Sequence, residues 1–223
     1  MQPLFEKQTD KIWKKISKPD QINDFTFDVN IYKRLLDFFM AGDYYYYVTN
    51  LRDMKFDLVS NEISEVLGYP RDQINVPMIL SKIHPEDQSW FLNFESKVAD
   101  FYSGLTMDRI PNYKVRYDYR IQKADGSYIR ILQQVISVQF EDNRVIRTFG
   151  VHTDISHLKM HGTPVLSLIG MNGEPSYDDV KVDNLFEAGT TGLTRRETKI
   201  LTLLAAENPA PKSVNNISSA NIL

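Results

Sequence analysis

Between Tyr113 and Ser156 the chain is written as three strands in succession, and this constrains the fold more than any other feature. Tyr113, Val115, Tyr117, Tyr119 and Ile121 alternate with Lys114, Arg116, Asp118, Arg120 and Gln122. Period-two patterning of this kind puts apolar side chains on one face of a strand and polar ones on the other. Asp125-Gly126 follows and suits a two-residue hairpin turn, because both central positions of such a turn need positive φ. Ser127 to Phe140 is rich in Ile and Val, Glu141-Asp142-Asn143 turns the chain again, and Val145 to His152 makes the third strand. Three long antiparallel strands need a helical layer to cover their apolar face.

The rest of the chain supplies that layer. Ile12, Trp13 and Ile16 are the sizeable anchors of a polar N-terminus that fits a short helix. Asp28 can cap a helix reaching Ala41, with Gly42 as its stop. Tyr44 to Val48 and Phe56 to Val59 read as two short strands. Ile63, Val66 and Leu67 share one helix face that ends at Gly68 and Pro70. Pro85 suits the first turn of the next helix, where Glu86 and Asp87 complement its dipole. Phe91, Phe94, Val98, Phe101 and Tyr102 then mark one face up to Gly104. After the three strands, Gly and Pro interrupt residues 157–188, although Val165 to Ile169 can form a further strand. Strands and helices in this segregated order give an α+β fold rather than a wound α/β one.

Composition removes several chemistries. The chain has 223 residues, a net charge of −3 and no Cys. Disulfides, thiolate metal sites and a cysteinyl–flavin adduct are therefore excluded. No apolar run approaches the roughly 20 residues of a membrane span, and no secretory signal core is present, so a cytoplasmic protein is expected. The four His residues (84, 152, 157 and 161) lack the spacing of a metal site. Phosphate loops, dinucleotide fingerprints and nucleophile elbows are also missing, so no enzyme activity is expected.

In order along the chain, Asn61-Glu62-Ile63 leading to Leu67-Gly68-Tyr69, then Ile83-His84-Pro85-Glu86-Asp87, Tyr119-Arg120 to Asp125-Gly126-Ser127-Tyr128, and Gly150-Val151-His152-Thr153-Asp154-Ile155-Ser156 resemble a PAS domain with its C-terminal PAC extension. The resemblance covers about residues 42–160. It departs at Arg130, where the subfamily often has Trp, and at Ser156, where Thr is commoner. It implies a five-stranded antiparallel sheet with helices on one face, an N-terminal helical extension over 1–41 and a short C-terminal helix. It also implies a sensory role, with Asp154 and Ser156 at the signal exit.

A second resemblance starts at Leu193. Leu193-Thr194-Arg195-Arg196-Glu197 followed by Ile200-Leu201-Thr202-Leu203-Leu204 is similar to the opening helix of a LuxR-type helix-turn-helix domain. Thr194 and Glu197 form a capping box. Pro209 and Pro211 oppose the second helix, and the remaining residues leave no room for a recognition helix. The DNA-binding segment over 189–223, beyond a linker over 161–188, is therefore expected to be incomplete and not to hold DNA by itself.

Gln134, His152, Tyr117 and Tyr119 are the candidate ligand contacts of a PAS cavity, while His84 reads as a helix-entry residue. The block Tyr44 to Tyr47 reads as strand packing rather than as a stacking site. No cofactor is expected, since neither a committed haem ligand nor a flavin-reactive Cys stands out. The expected partners are a second copy of the chain through the N-terminal helix, an unidentified small molecule, and DNA only through a complete C-terminal domain. Two other roles fit the same residues: a protein-interaction module without small ligand, and the sensory fragment of a larger signalling kinase.

Overall fold

The structure is a computed structural model, and it describes residues 4–14, 38–141 and 144–187. All of them belong to one compact unit. Six strands form one sheet: β1 (Tyr44–Asn50), β2 (Lys55–Val59), β3 (Tyr113–Gln122), β4 (Tyr128–Glu141), β5 (Arg144–Asp154) and β6 (Leu166–Gly170). Their order across the sheet is β2-β1-β5-β4-β3-β6, and every pairing is antiparallel. Among the described residues four complete α-helices accompany them: α1 (Leu4–Trp13), α2 (Glu62–Leu67), α3 (Val76–Ser81) and α4 (Pro85–Ser103).

Strand alternation decides which side chains meet the helices. Val115, Tyr117, Tyr119 and Ile121 of β3 and Ile129 and Ile131 of β4 are buried on the helix-facing side. Phe91, Phe94, Val98 and Tyr102 of α4 pack against them. Burying each such side chain contributes about 1.5–3 kcal/mol, which makes this face the main source of stability. The helix ends follow the sequence signals. Gly68 closes α2 at a φ of 79°, and Pro85 stands in the first turn of α4 behind His84, whose Nδ1 accepts from Glu86 N–H at 3.2 Å.

Three differences from the sequence-based expectations stand out. The sheet has six strands rather than five, because β6 pairs with β3 from within residues 161–188, the expected linker. Leu166 and Leu168 provide two buried anchors there, and backbone pairing along the β3 edge removes unpaired groups. The hairpin between β3 and β4 has a three-residue loop rather than a two-residue one. Lys123 N–H donates to Ser127 O at 2.8 Å, and Gly126 alone takes positive φ, at 87°. Finally, β1 is buried along its whole length, not on alternate residues. Tyr44 and Tyr46 on its other face pack with Val151, Met40, Leu58 and Phe149. The Asp28 cap and Asp142-Asn143 lie outside the described residues, as does the expected C-terminal helix with Thr194 and Glu197.

Candidate ligand cavity

Between the sheet and the helices lies a cavity of ≈ 80 Å³. One water needs about 10–15 Å³ of such space, so a small organic molecule or several waters fit. Apolar side chains form most of the wall, among them Leu51, Val76, Ile79, Val115 and Val135. The polar groups cluster at His152, Gln133, Tyr47, Tyr119 and Glu95. A mainly apolar pocket with a few convergent polar groups is the usual form of a small-molecule site.

His152 sits at the centre of a buried hydrogen-bond network. Tyr45 OH lies 2.6 Å from Nδ1, and Tyr47 OH lies 2.8 Å from Nε2. Gln133 Oε1 is 2.8 Å from Nε2 and also accepts from Tyr119 OH at 2.9 Å. Gln133 Nε2 donates to Tyr117 OH at 2.6 Å, and Tyr117 OH donates in turn to Glu95 Oε1. One neutral arrangement accommodates them, with a single Nε2–H shared between Gln133 Oε1 and the Tyr47 hydroxyl oxygen. Nε2–H donates to Gln133 Oε1, and Nδ1 accepts from Tyr45, so the imidazole is neutral. This assignment comes from the bonding pattern, since hydrogens are inferred rather than seen. Burial pushes the His152 pKa down to about 3 and raises those of the Tyr45, Tyr47, Tyr117 and Tyr119 phenols. The imidazole and the four phenols therefore carry no charge at neutral pH.

The close approach of Tyr47 to His152 has a backbone cause. Gly150 stands opposite Tyr47 in the β1–β5 register, and a Cβ there would collide with the Tyr47 ring. Glycine lets the ring lie across β5.

Among the described residues Glu95 is the one carboxylate on the cavity wall. It projects from α4, and its Oε2 accepts from Trp13 Nε1–H of α1 at 2.5 Å. Phe5 of α1 meets Phe91 of α4 with ring centroids 5.7 Å apart, and Ile12 is buried beside them. Burial raises the Glu95 pKa, while the bonds from Tyr117 and Trp13 work the other way. Glu95 is half-buried and lines the cavity.

On the opposite face of the sheet lies a second buried polar group. Arg130, fully buried, donates from Nε to Asp118 Oδ2 at 2.5 Å. Lys159 Nζ reaches the same oxygen at 2.9 Å, and Val165 N–H donates to Asp118 Oδ1 at 3.0 Å. Ser156 Oγ accepts from Arg130 N–H at 2.9 Å and donates to Asp154 Oδ1 at 2.6 Å. Asp154 and Ser156 thus close a local turn at the end of β5 that Arg130 ties to β4.

The sequence-based candidates divide accordingly. His152, Tyr117 and Tyr119 share one network. Gln134 does not join it, because Gln133 is the residue on the cavity wall and its neighbour takes the other face of β4. Ile129 and Ile131 set the inward parity that would have selected Gln133. Tyr45 and Tyr47, read from sequence as packing alone, bond the imidazole directly. Glu95 carries a helical signal, being four residues after Phe91 and three before Val98.

Residues 56–152 match the family model described as PAS fold. Solved structures similar to the chain include the N-terminal domain of a diguanylate cyclase with PAS/PAC sensor from Marinobacter aquaeolei, at 28% identity and a TM-score of 0.43, covering 53% of this chain and 99% of that one. The PAS domain of a protein from Colwellia psychrerythraea is 18% identical with a TM-score of 0.41, over 57% of this chain and 99% of that one. The PAS domain from the fruit-fly ELK potassium channel is 14% identical with a TM-score of 0.42, over 59% and 100%. No curated protein matches the chain significantly. Among the described residues no helix is long and apolar enough to cross a membrane. The family match over residues 56–152 and the six-stranded antiparallel sheet behind its helices show that this part of the chain has the PAS fold.

Proposed function

We propose that this chain is the sensory part of a cytoplasmic, non-enzymatic transcriptional regulator of the LuxR class. A small molecule in the cavity would alter α4, and α4 would pass the change to the segment leading to residue 189. One observation carries this reading. Glu95 on α4 faces the cavity, while Asn93, two residues earlier, holds the far end of the described chain. Asn93 Oδ1 accepts from Leu185 N–H and Phe186 N–H at 3.0 Å each, and its Nδ2 donates to Phe186 O at 3.0 Å. Input and output so share one rigid helix, in addition to the exit at Asp154 and Ser156. DNA contact is assigned to the helix-turn-helix domain that Thr194 and Glu197 open.

A homodimer belongs to the same proposal. Phe38 and Phe39 are 80% and 69% exposed at the end of the expected N-terminal helix, an apolar pair suited to a second copy. Equilibrium sedimentation should give twice 25.9 kDa. A monomer at high concentration would remove the dimer.

The sensor reading is tested by a thermal-shift screen of small molecules, followed by hydrogen exchange on the hits. Molecules that stabilise the protein should change exchange at Leu185 and Phe186. Hits that leave residues 180–187 unchanged would contradict the route through α4.

A further inference from the structure

The wall of the cavity bears charge of one sign. Among the described residues Glu95 is its only acidic residue, no Lys or Arg lines it, and His152 is neutral. Among the described residues Glu95 forms no ion pair; both its partners, Tyr117 and Trp13, are donors. Donors on both oxygens match a carboxylate, whereas a protonated acid needs an acceptor for its own hydrogen. A buried carboxylate with no cation beside it is costly, and such charges are normally paired. Lining the same cavity are the rings of Trp13, Tyr47, Phe56, Phe91, Tyr102 and Tyr119. Aromatic faces attract cations, most strongly when the cation is out of water.

We propose that the cavity takes a small organic cation of the alkylammonium class, with Glu95 as its counter-charge and the aromatic rings as its walls. This rests on the reading of the cavity as a ligand site and names the chemistry of its occupant. An anion would meet the Glu95 carboxylate with no compensating cation on the wall among the described residues. A neutral molecule of the same shape would fill the space but leave Glu95 unpaired. Because Trp13 bonds Glu95 from α1, the occupant would also shift the position or polarity of that indole.

The test compares choline with its neutral isostere 3,3-dimethylbutan-1-ol on the full chain. Binding is followed by calorimetry and by tryptophan emission, to which only Trp13 and Trp90 contribute. Choline should bind at least about tenfold more tightly than the alcohol, and it should shift the emission. Glu95→Gln keeps the side-chain shape and should bring the two affinities together. The wild-type comparison stands even where the variant folds poorly. Equal affinities, or tighter binding of the alcohol, would overturn the cation and leave the ligand cavity intact. Binding of neither molecule at millimolar concentration would also overturn it, while the sensor reading stands or falls on its own screen.

Discussion

The two faces of the sheet bury polar groups in opposite ways. On the helix-facing side, His152, Gln133 and four tyrosines form a neutral network beside open space. On the other side, Arg130, Asp118 and Lys159 form a closed ionic cluster that anchors the chain after β5. Neutral hydrogen bonds to a histidine, an amide and phenols can be exchanged for bonds to a guest at modest cost, each being worth about 1 kcal/mol net. A buried ion pair loses far more when one partner is removed, because the remaining charge stays out of water. The first arrangement suits a site that must rearrange; the second suits an anchor that must not. The cluster itself is imperfect. Both terminal guanidinium nitrogens of Arg130 are buried without a hydrogen-bond partner among the described residues.

The largest expected effect falls on the ionic side. Asp118→Asn leaves Arg130 unpaired in the interior and should cost about 3–5 kcal/mol in urea unfolding. A loss below about 1 kcal/mol would mean that the cluster does not anchor the fold.

Next comes the pH response of the neutral side. His152 is held near a pKa of 3 in the fold and returns to its ordinary 6.5 when unfolded. Between those values the unfolded state binds more protons. The contribution of a neutral His152 is therefore intact above pH 6.5 and is lost as pH falls toward 3, by up to about 1.4 kcal/mol per pH unit. Glu95, raised by burial, has the opposite sign and lowers stability as pH rises through its titration. The difference between wild type and His152→Gln isolates the histidine: the wild type should lose more stability from pH 6.5 to 5. Parallel curves would place the proton on His152 in the folded state.

Gly150→Ala comes third. The added methyl meets the Tyr47 ring, so the variant should lose about 1–3 kcal/mol and break the bond from Tyr47 to His152. An unchanged Tyr47 ring environment by NMR would contradict the close approach. Ser156→Ala is the mildest, removing two hydrogen bonds at a solvent-reachable turn, and is expected to cost about 1 kcal/mol. A cost as large as that of Asp118→Asn would show that the β5 exit, not the ion cluster, carries the anchoring.

The sequence made the inner face readable and much of the site obscure. The alternation in β3, the stop at Gly68 and the helix start at Pro85 are local signals, and the structure follows them. Gln133 and Gln134 are chemically identical neighbours, so only parity counted from Ile129 and Ile131 separates them. Asp118 and Arg130 are diagonal partners across the β3–β4 hairpin, visible once the register is known. The bond from Trp13 to Glu95 spans 82 residues and depends on how α1 docks on α4, which no local pattern encodes. The tyrosine block of β1 hid its role for a related reason. Strand packing and hydrogen bonding to a histidine four strands later in the chain call for the same aromatic residues.

The contrast between an open face with a histidine–tyrosine network and a closed, ionic one is tested most directly with xenon, which enters apolar cavities and ignores filled ones. Methyl signals of Val115, Val135 and Val145 on the cavity wall should move saturably as xenon pressure rises, while those of Val151 on the other face should stay still. Absence of a saturable shift at the three wall valines, or an equal shift at Val151, would contradict the account.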